Sequence, residues 1–409
     1  MGNSILMRKN LPVLEFDIDR GYYKVLDSKN LPIRLKGAIV NVEGFAKQDA
    51  DQALRSISFN RDAVVDYLAS RVLDITRENA KKILEAYQLS QSQNPSDKAR
   101  IALTYHAVSM GDSYWIQNQD QTYAWEGIDP RNNPLNTILT KIALHGRSIT
   151  LRERADIPPL TPELNGKGSY AHAWVRGDDG ENYFHKKSSR GGNETDIEIS
   201  VSKILDCFNI PHVRYEKAEM LENIGDYAVS RCKNMATDRL DIVSAEDFYC
   251  YCNRNNLNFT EEVFAIDSDT MYKMCIVDFL ISNPDWHLQN WGFFEDNEYG
   301  NILFCHPLYD HNNAFDESLM EDPDCGISRV FTEMSRKEAA VKAMEKVRLE
   351  CISPVKKDMF VSSEAYNSFM ERAAMLNLYR KITPGFFQRI FRPEIIYEPK
   401  ALSENAKDE

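Results

Sequence analysis

The chain has 409 residues, more than one small core organises, so two or three domains of about 150 residues are expected. A hydrophobic fraction of 43% with 11% aromatic is that of a folded protein and excludes collagen-like, repeat and disordered classes. The formal net charge of −13 excludes broad electrostatic binding of nucleic acid, because an acidic surface repels phosphate backbones, but it allows a small basic nucleotide pocket.

The first residues, MGNSILMRKN, have no long apolar stretch, so no signal peptide is expected, and Leu6 breaks the myristoylation pattern after Gly2. Residues 1–156 read as an N-terminal, mainly helical module with a few strands. Asn60 is placed to cap a helix carrying Val64, Leu68 and Val72, and Thr76 another with Ala80, Ile83, Leu84 and Tyr87 inward. Ser96 and Asp97 open a third, through Ile101, Ala102 and Tyr105; SYWIQ at 113–117 reads as a strand. Ile138, Leu139 and Ile142 mark a last helix, stopped at Gly146. No chemistry is legible in this module, and a scaffold or recognition role is its default.

IPPLTP at 157–162 holds three prolines and marks a boundary. Residues 157–234 then read as a small, mostly antiparallel sheet with one helix inserted. NGKGS at 165–169 leads into a hairpin: an alternating strand over 170–176, the turn GDDG, and the return ENYFHKK over 181–187. A helix follows over about 197–208, then two strands, IPHVRYE and DYAVSRCKN, joined by a turn near residues 223–225.

Residues 235–398 read as a larger helical part. Ser244 and Asp247 resemble a capping box, with Asp in place of the usual Glu. DSDTMYKMCIVDFLI at 267–281 predicts a central buried helix, which must end before Pro284 because proline disfavours helical geometry in the residue before it. Its apolar run is short of the ~18 residues of a membrane span and contains Asp278, so a soluble, cytoplasmic protein is expected. WGFFE and NILFC are two short strands around a turn; Ser335 and Glu338 form an S-x-x-E box opening a helix through Val341, Met344 and Val347. More helices follow to about residue 392, and residues 399–409 are a polar tail expected to be disordered. The eight cysteines match no zinc-ribbon spacing and read as reduced, packed thiols.

Set in order, these parts are a glycine-bearing hairpin, a strand with lysines, a helix with acids, two strands, a long helix, D-x-x-x-x-N, a short hairpin and an Asp. That is the order of a phosphoryl-transfer machine of the protein-kinase type. A phosphoryl group in flight spreads negative charge, so catalysis is mostly positioning and electrostatics. In NPDWHLQN, Asp285 can align a substrate hydroxyl; Asn290, and Asp310 in PLYDHN, supply the hard oxygens that Mg2+ takes. Lys186 and Lys187 face opposite sides of a strand, and one should pair the phosphates of ATP. Phe184 shares the face of Lys186 and suits one that packs on adenine, which favours Lys186. Glu194, Asp196 and Glu198 compete as its acidic partner, and Glu198 lies inside the helical pattern. The loop of Gly166, Gly168 and Ser169 would cover the phosphates with backbone N–H groups. The strand end with Cys232 and Asn234 would form a hinge beside the adenine through backbone alone. His287, His306 and His311 raise a metal-hydrolase alternative, but their spacing matches no zinc pattern, and His287 fits better as a brace of the catalytic loop.

NPDWHLQN followed by PLYDHN resembles the N-x-D-x-H-x-x-N loop and P-L-Y-D segment of bacterial HipA-like serine/threonine kinases, over roughly residues 160–395. The resemblance implies an α+β, two-lobed protein-kinase-like fold, a small sheet lobe with one helix and a larger helical lobe; the N-terminal, mainly helical module matches no motif and is added to them. The resemblance also implies Asp285 as catalytic base or orienter, Asn290 and Asp310 as magnesium ligands, and a protein serine or threonine as acceptor. Some members autophosphorylate a serine in the glycine-bearing loop, where Ser169 stands, and toxin members pair with an antitoxin. The chain departs from eukaryotic kinases in lacking His-Arg before Asp285 and Phe-Gly after Asp310, so control by a flipping Phe is not expected. Two alternatives remain, a small-molecule kinase of the aminoglycoside-phosphotransferase type and a pseudokinase binding module.

Overall fold

The computed structural model describes residues 3–39, 50–119, 121–150, 152–153, 161–166, 168–219, 227–285 and 287–382. It is a mixed α/β structure of small antiparallel sheets and many helices. The proline segment 157–160, the turn at 223–225 and the tail from 399 lie outside the described residues.

The first sheet has the order β3-β2-β1-β4, with β1 at Ser4–Arg8, β2 at Leu11–Asp17, β3 at Tyr22–Val25 and β4 at Tyr114–Asn118. Alternation splits its faces: Leu6, Leu14 and Ile116 pack on Val64, Leu68 and Leu103 from α1 (Ala50–Ser70) and α3 (Pro95–Thr104). Met7 and Trp115 face the other way, onto Trp125 of α4 (Trp125–Ile128).

Among the described residues of the module, helices outweigh the four strands of this sheet, and three predicted helix starts move. Asn60 is buried in the middle of α1, so it does not start that helix. Thr76 bonds to Asp74 Oδ1 through its N–H (2.9 Å) and hydroxyl (2.7 Å), a local turn that competes with helix, so α2 (Ala80–Ala86) starts later, after Asn79. The cap of α3 is Asn94, whose side chain accepts from Ser96 N–H ahead of Pro95. α5 (Thr137–His145) ends where expected, on Gly146 in left-handed backbone (φ 64°).

The second sheet, β5-β6-β8-β7, comprises His172–Arg176, Asn182–Lys187, Val229–Lys233 and Tyr215–Lys217 for β5, β6, β8 and β7. One face meets α6 (Glu194–Leu205). Ala173 and Val229 on the other pack on Ile83, Leu84, Ile142 and Ala143 of α2 and α5, so the N-terminal module covers this sheet.

The third sheet, β11-β10-β9, adds an unpredicted strand, β9 (Leu240–Ser244), to the expected hairpin of β10 (Gly292–Asp296) and β11 (Asn301–Cys305). Ser244 ends that strand and caps α7 (Ala245–Arg254), accepting from Asp247 N–H. α8 (Phe259–Ile281) is kinked at Asp267; beyond it, Met271 to Ile281 are almost continuously buried in the largest core. After the short α9 (Glu317–Glu321), α10 (Arg336–Met344) opens on a complete Ser335–Glu338 capping box, followed by α11 (Ser363–Met375) and α12 (Tyr379–Ile382). All eight cysteines are free.

Candidate active site

β6 decides which lysine faces inward. It pairs with β5 so that Phe184 sits opposite Trp174 and Lys186 opposite His172. Lys186 turns to a cavity of about 620 Å³; Lys187 turns away, to Glu78 Oε1 (2.5 Å) and the Tyr227 ring (4.3 Å). The walls of that cavity include Gly166, Gly168, Ser169, Lys186, Cys232, Asn234, Asp285, Asn290 and Asp310, while Glu198 stands behind Lys186.

Glu198 is buried on α6, 3.4 Å from Lys186 Nζ, and accepts from Ser230 Oγ at 2.8 Å. The competing acids are occupied elsewhere: Glu194 accepts from Ser189 Oγ, and Asp196 pairs with Lys217 at the surface. Burial pushes the Glu198 carboxyl up, against the pull of Lys186. Burial also works against the charge on Lys186, but Asp310 and then Glu198 outweigh it and hold the ammonium above its ordinary range.

Asp310 is reached by the chain after β11. It adopts left-handed backbone (φ 62°), which Asp tolerates better than most residues, and pairs directly with Lys186. Burial opposes its ionisation, yet the charge and hydrogen bond of Lys186 win and hold the carboxyl below the usual range.

The candidate catalytic loop hangs from the end of α8. Ser282 ends the helix in left-handed backbone (φ 51°), and Asn283 Oδ1 accepts from Asp285 N–H at 3.1 Å. Asn290 Nδ2 donates to Asp285 O (3.1 Å), which leaves the Asn290 Oδ1 for a cation. Two neighbours escaped sequence reading. Asn313 Nδ2 donates to Asp285 Oδ2 at 2.9 Å, and Tyr309 OH donates to Gln289 O at 2.6 Å. Both flank Asp310 in LYDHNN, and the polar pair after that Asp was the available signal.

Asn290 and Asp310 offer a neutral and a charged oxygen, a donor set suited to Mg2+, and the Asp310 carboxylate already holds one cation, the Lys186 ammonium. The residues present fit the metal. The hydrolase alternative finds no group of three His, Cys, Asp or Glu able to hold a metal among the described residues. His306 and His311 are buried, and burial depresses both to about 4. His287 is half-exposed, 3.8 Å from Asp285.

On the opposite wall, Gly168 has φ 101°, with open space where a side chain would lie. Cys232 is buried, its thiol pushed up to about 12 by burial. Asn234 is committed: its N–H donates to Asn182 O and its Nδ2 to Met110 O, both 2.8 Å. An adenine would have to meet other backbone groups of this segment.

No family model matches the chain, and no curated protein matches it in sequence. Solved structures do. The chain is similar in structure to the Helicobacter pylori proinflammatory kinase CtkA, with TM-score 0.37 and 12% identity over 52% of this chain and 91% of that one. It is similar to a chain of the Shewanella oneidensis MR-1 toxin–antitoxin complex of HipA, HipB and operator DNA, with TM-score 0.46 and 10% identity over 96% of this chain and 100% of that one. Among the described residues, no helix is long and apolar enough to cross a membrane.

Proposed function

We propose that the chain is a Mg-ATP-dependent serine/threonine protein kinase of HipA-like type, cytoplasmic and two-lobed about the cavity. The observation that carries the reading is a meeting of residues. Lys186, Glu198 and Asp310, from three separate elements, converge on a cavity whose wall also holds Asp285 and Asn290. A protein needing only a stable core has no use for such a convergence of charge at an open cleft.

In this reading Lys186, fixed by Glu198, pairs the phosphates of ATP. Asn290 and Asp310 hold Mg2+, which when bound neutralises charge on the transferring phosphoryl group. Asp285, held through its backbone by Asn283 and Asn290 and through its carboxylate by Asn313, accepts the acceptor hydroxyl's hydrogen bond and aligns it for attack. The glycine-bearing loop of Gly166, Gly168 and Ser169 covers the phosphates, with Ser169 as an autophosphorylation site. The backbone beside Cys232 and Asn234 borders the base. The acceptor is a protein, and an antitoxin-like protein is the partner class.

The test is incubation of purified protein with ATP and magnesium, followed by intact-mass analysis, and then the same with cell extract. A gain of one phosphate, or labelled extract proteins, lost in Asp285→Asn and Asp310→Asn, is the expected result. A phosphorylated metabolite instead would move the acceptor to a small molecule. If the wild type binds no ATP and both variants behave like it, the reading fails.

A further inference from the structure

The glycine-bearing loop is not held by its own lobe alone. Arg77, from the N-terminal module, is fully buried and reaches both ends of the loop. Its Nη2 donates to His172 O at 2.6 Å on the far side, and its Nη1 donates to Glu163 O at 3.2 Å on the near side. The Glu163 carboxylate completes the tie: one oxygen lies 3.4 Å from Arg77 Nη2, the other accepts from Trp174 N–H at 2.8 Å. On either side of Arg77, Leu73 N–H donates to Leu164 O and Glu78 N–H to Ser169 O, both at 2.8 Å. Gly166 has no side chain where the guanidinium lies; a methyl group there would collide with Arg77 and stand 2.7 Å from His172 Nε2.

We infer that Arg77 is a positioning residue for nucleotide binding: it closes the base of the loop at 164–172 and presets the loop's backbone N–H groups over the phosphates. The inference rests on the kinase reading. The physical reason is preorganisation. A short glycine-bearing loop left untied loses conformational freedom when it wraps the phosphates, and that loss is subtracted from affinity. A guanidinium bonded to carbonyls at both ends removes most of it before the ligand arrives, with geometry a lysine reproduces only in part. The contribution should belong to the phosphates and not to the base, because the tied backbone is the loop and not the strand end at Cys232.

Full-length wild type, Arg77→Met, Arg77→Lys and Gly166→Ala are titrated by calorimetry with Mg-ATP and separately with adenosine, and the thermal unfolding of each is recorded. Arg77→Met and Gly166→Ala should weaken Mg-ATP roughly tenfold while adenosine stays within about twofold, and Arg77→Lys should fall between. Amide exchange at residues 165–171 of the nucleotide-free protein should quicken in the same order. Gly166→Ala keeps both residues of the ion pair and disturbs only the fit of the guanidinium against the loop, so no buried carboxylate loses its cation, and it decides the matter if Arg77→Met does not fold. Equal weakening of both ligands, or unchanged Mg-ATP binding with a loosened loop, overturns the inference and leaves the kinase reading standing. A wild type that binds no Mg-ATP overturns the kinase reading and this inference with it.

Discussion

Asp310 combines an uncommon backbone conformation, a depressed carboxyl and a direct pair with a half-hidden lysine. Strain of that kind costs about 1 kcal/mol and persists where surrounding structure requires it. Removing Lys186 would leave Glu198 and Asp310 as neighbouring acids without their cation. Lys186→Met is therefore expected to abolish Mg-ATP binding and to lower stability by about 3 kcal/mol, read by calorimetry and urea unfolding. Asp285→Asn is different, because Asp285 touches neither Lys186 nor Glu198: Mg-ATP affinity should hold while phosphate transfer falls by about 10²-fold or more. A third residue makes stability fall in acid. His306 is buried beside Phe294 and Tyr309, and burial lowers it from 6.5 to about 4. Between those values the unfolded chain takes up a proton that the folded chain refuses. The contribution is complete above pH 6.5 and is lost as pH falls, by about 1.4 kcal/mol per unit. His172, His185 and His311 are lowered by burial too, so urea unfolding from pH 7.5 to 4.5 should show a steeper slope than this, and His306→Phe should flatten it by about one proton.

Strand β6 turns sequence alternation into function. Its period of two places Phe184 and Lys186 on the cavity side and His185 and Lys187 against the N-terminal module, so a slip of one residue would exchange the two lysines. The matched variant Lys187→Met should leave Mg-ATP affinity unchanged and lower only the melting temperature, which separates the two faces of one strand. Helix α8 works by where it stops: Ser282 and Pro284 end it abruptly, and the loop so released presents Asp285 and Asn290 on one side.

At the scale of the molecule, the N-terminal residues are not an appended domain. Arg8 of β1 is buried against Glu295 of β10 (3.0 Å) and Asp241 of β9 (3.7 Å), and Asp241 also accepts from Ser113 and Asn297. Arg34 pairs with Asp247 and Glu246, and Glu246 accepts from Gln289 of the loop after α8. With Arg77 at the glycine-bearing loop, residues 1–156 touch both sides of the cavity. Cutting the chain near 157 would bare buried carboxylates and the apolar face of β5 and β8, so residues 157–398 alone should be insoluble or unfolded. Arg8→Met in the full chain should cost about 3 kcal/mol in urea unfolding, because it takes the nearest cation from buried Glu295 and leaves Lys36 (3.6 Å) for Glu295 and Arg131 (3.8 Å) for Asp241.

The sequence by itself determined the order of the parts and the identity of the polar residues at the cleft. Asp285, Asn290 and Asp310 were legible because their spacing is local and the flanking signals, Pro284 and a hairpin of known length, are local too. So were the 170–187 hairpin, the box at Ser335 and Glu338, and the stop at Gly146. Local geometry moved the other helix starts: Asp74 captured Thr76 in a turn, Asn94 capped α3 with its side chain, and α2 starts only after Asn79 in left-handed backbone. Only the tertiary structure decided between Lys186 and Lys187 and among the acids of α6, because both choices depend on which face meets the cavity. It alone revealed β9, the grip of Asn313 on Asp285, and the reach of Arg8 and Arg77 into regions far along the chain. Buried ion pairs between distant segments leave no periodicity in sequence; they come into being when sheets and helices close on one another and each buried charge must find its partner.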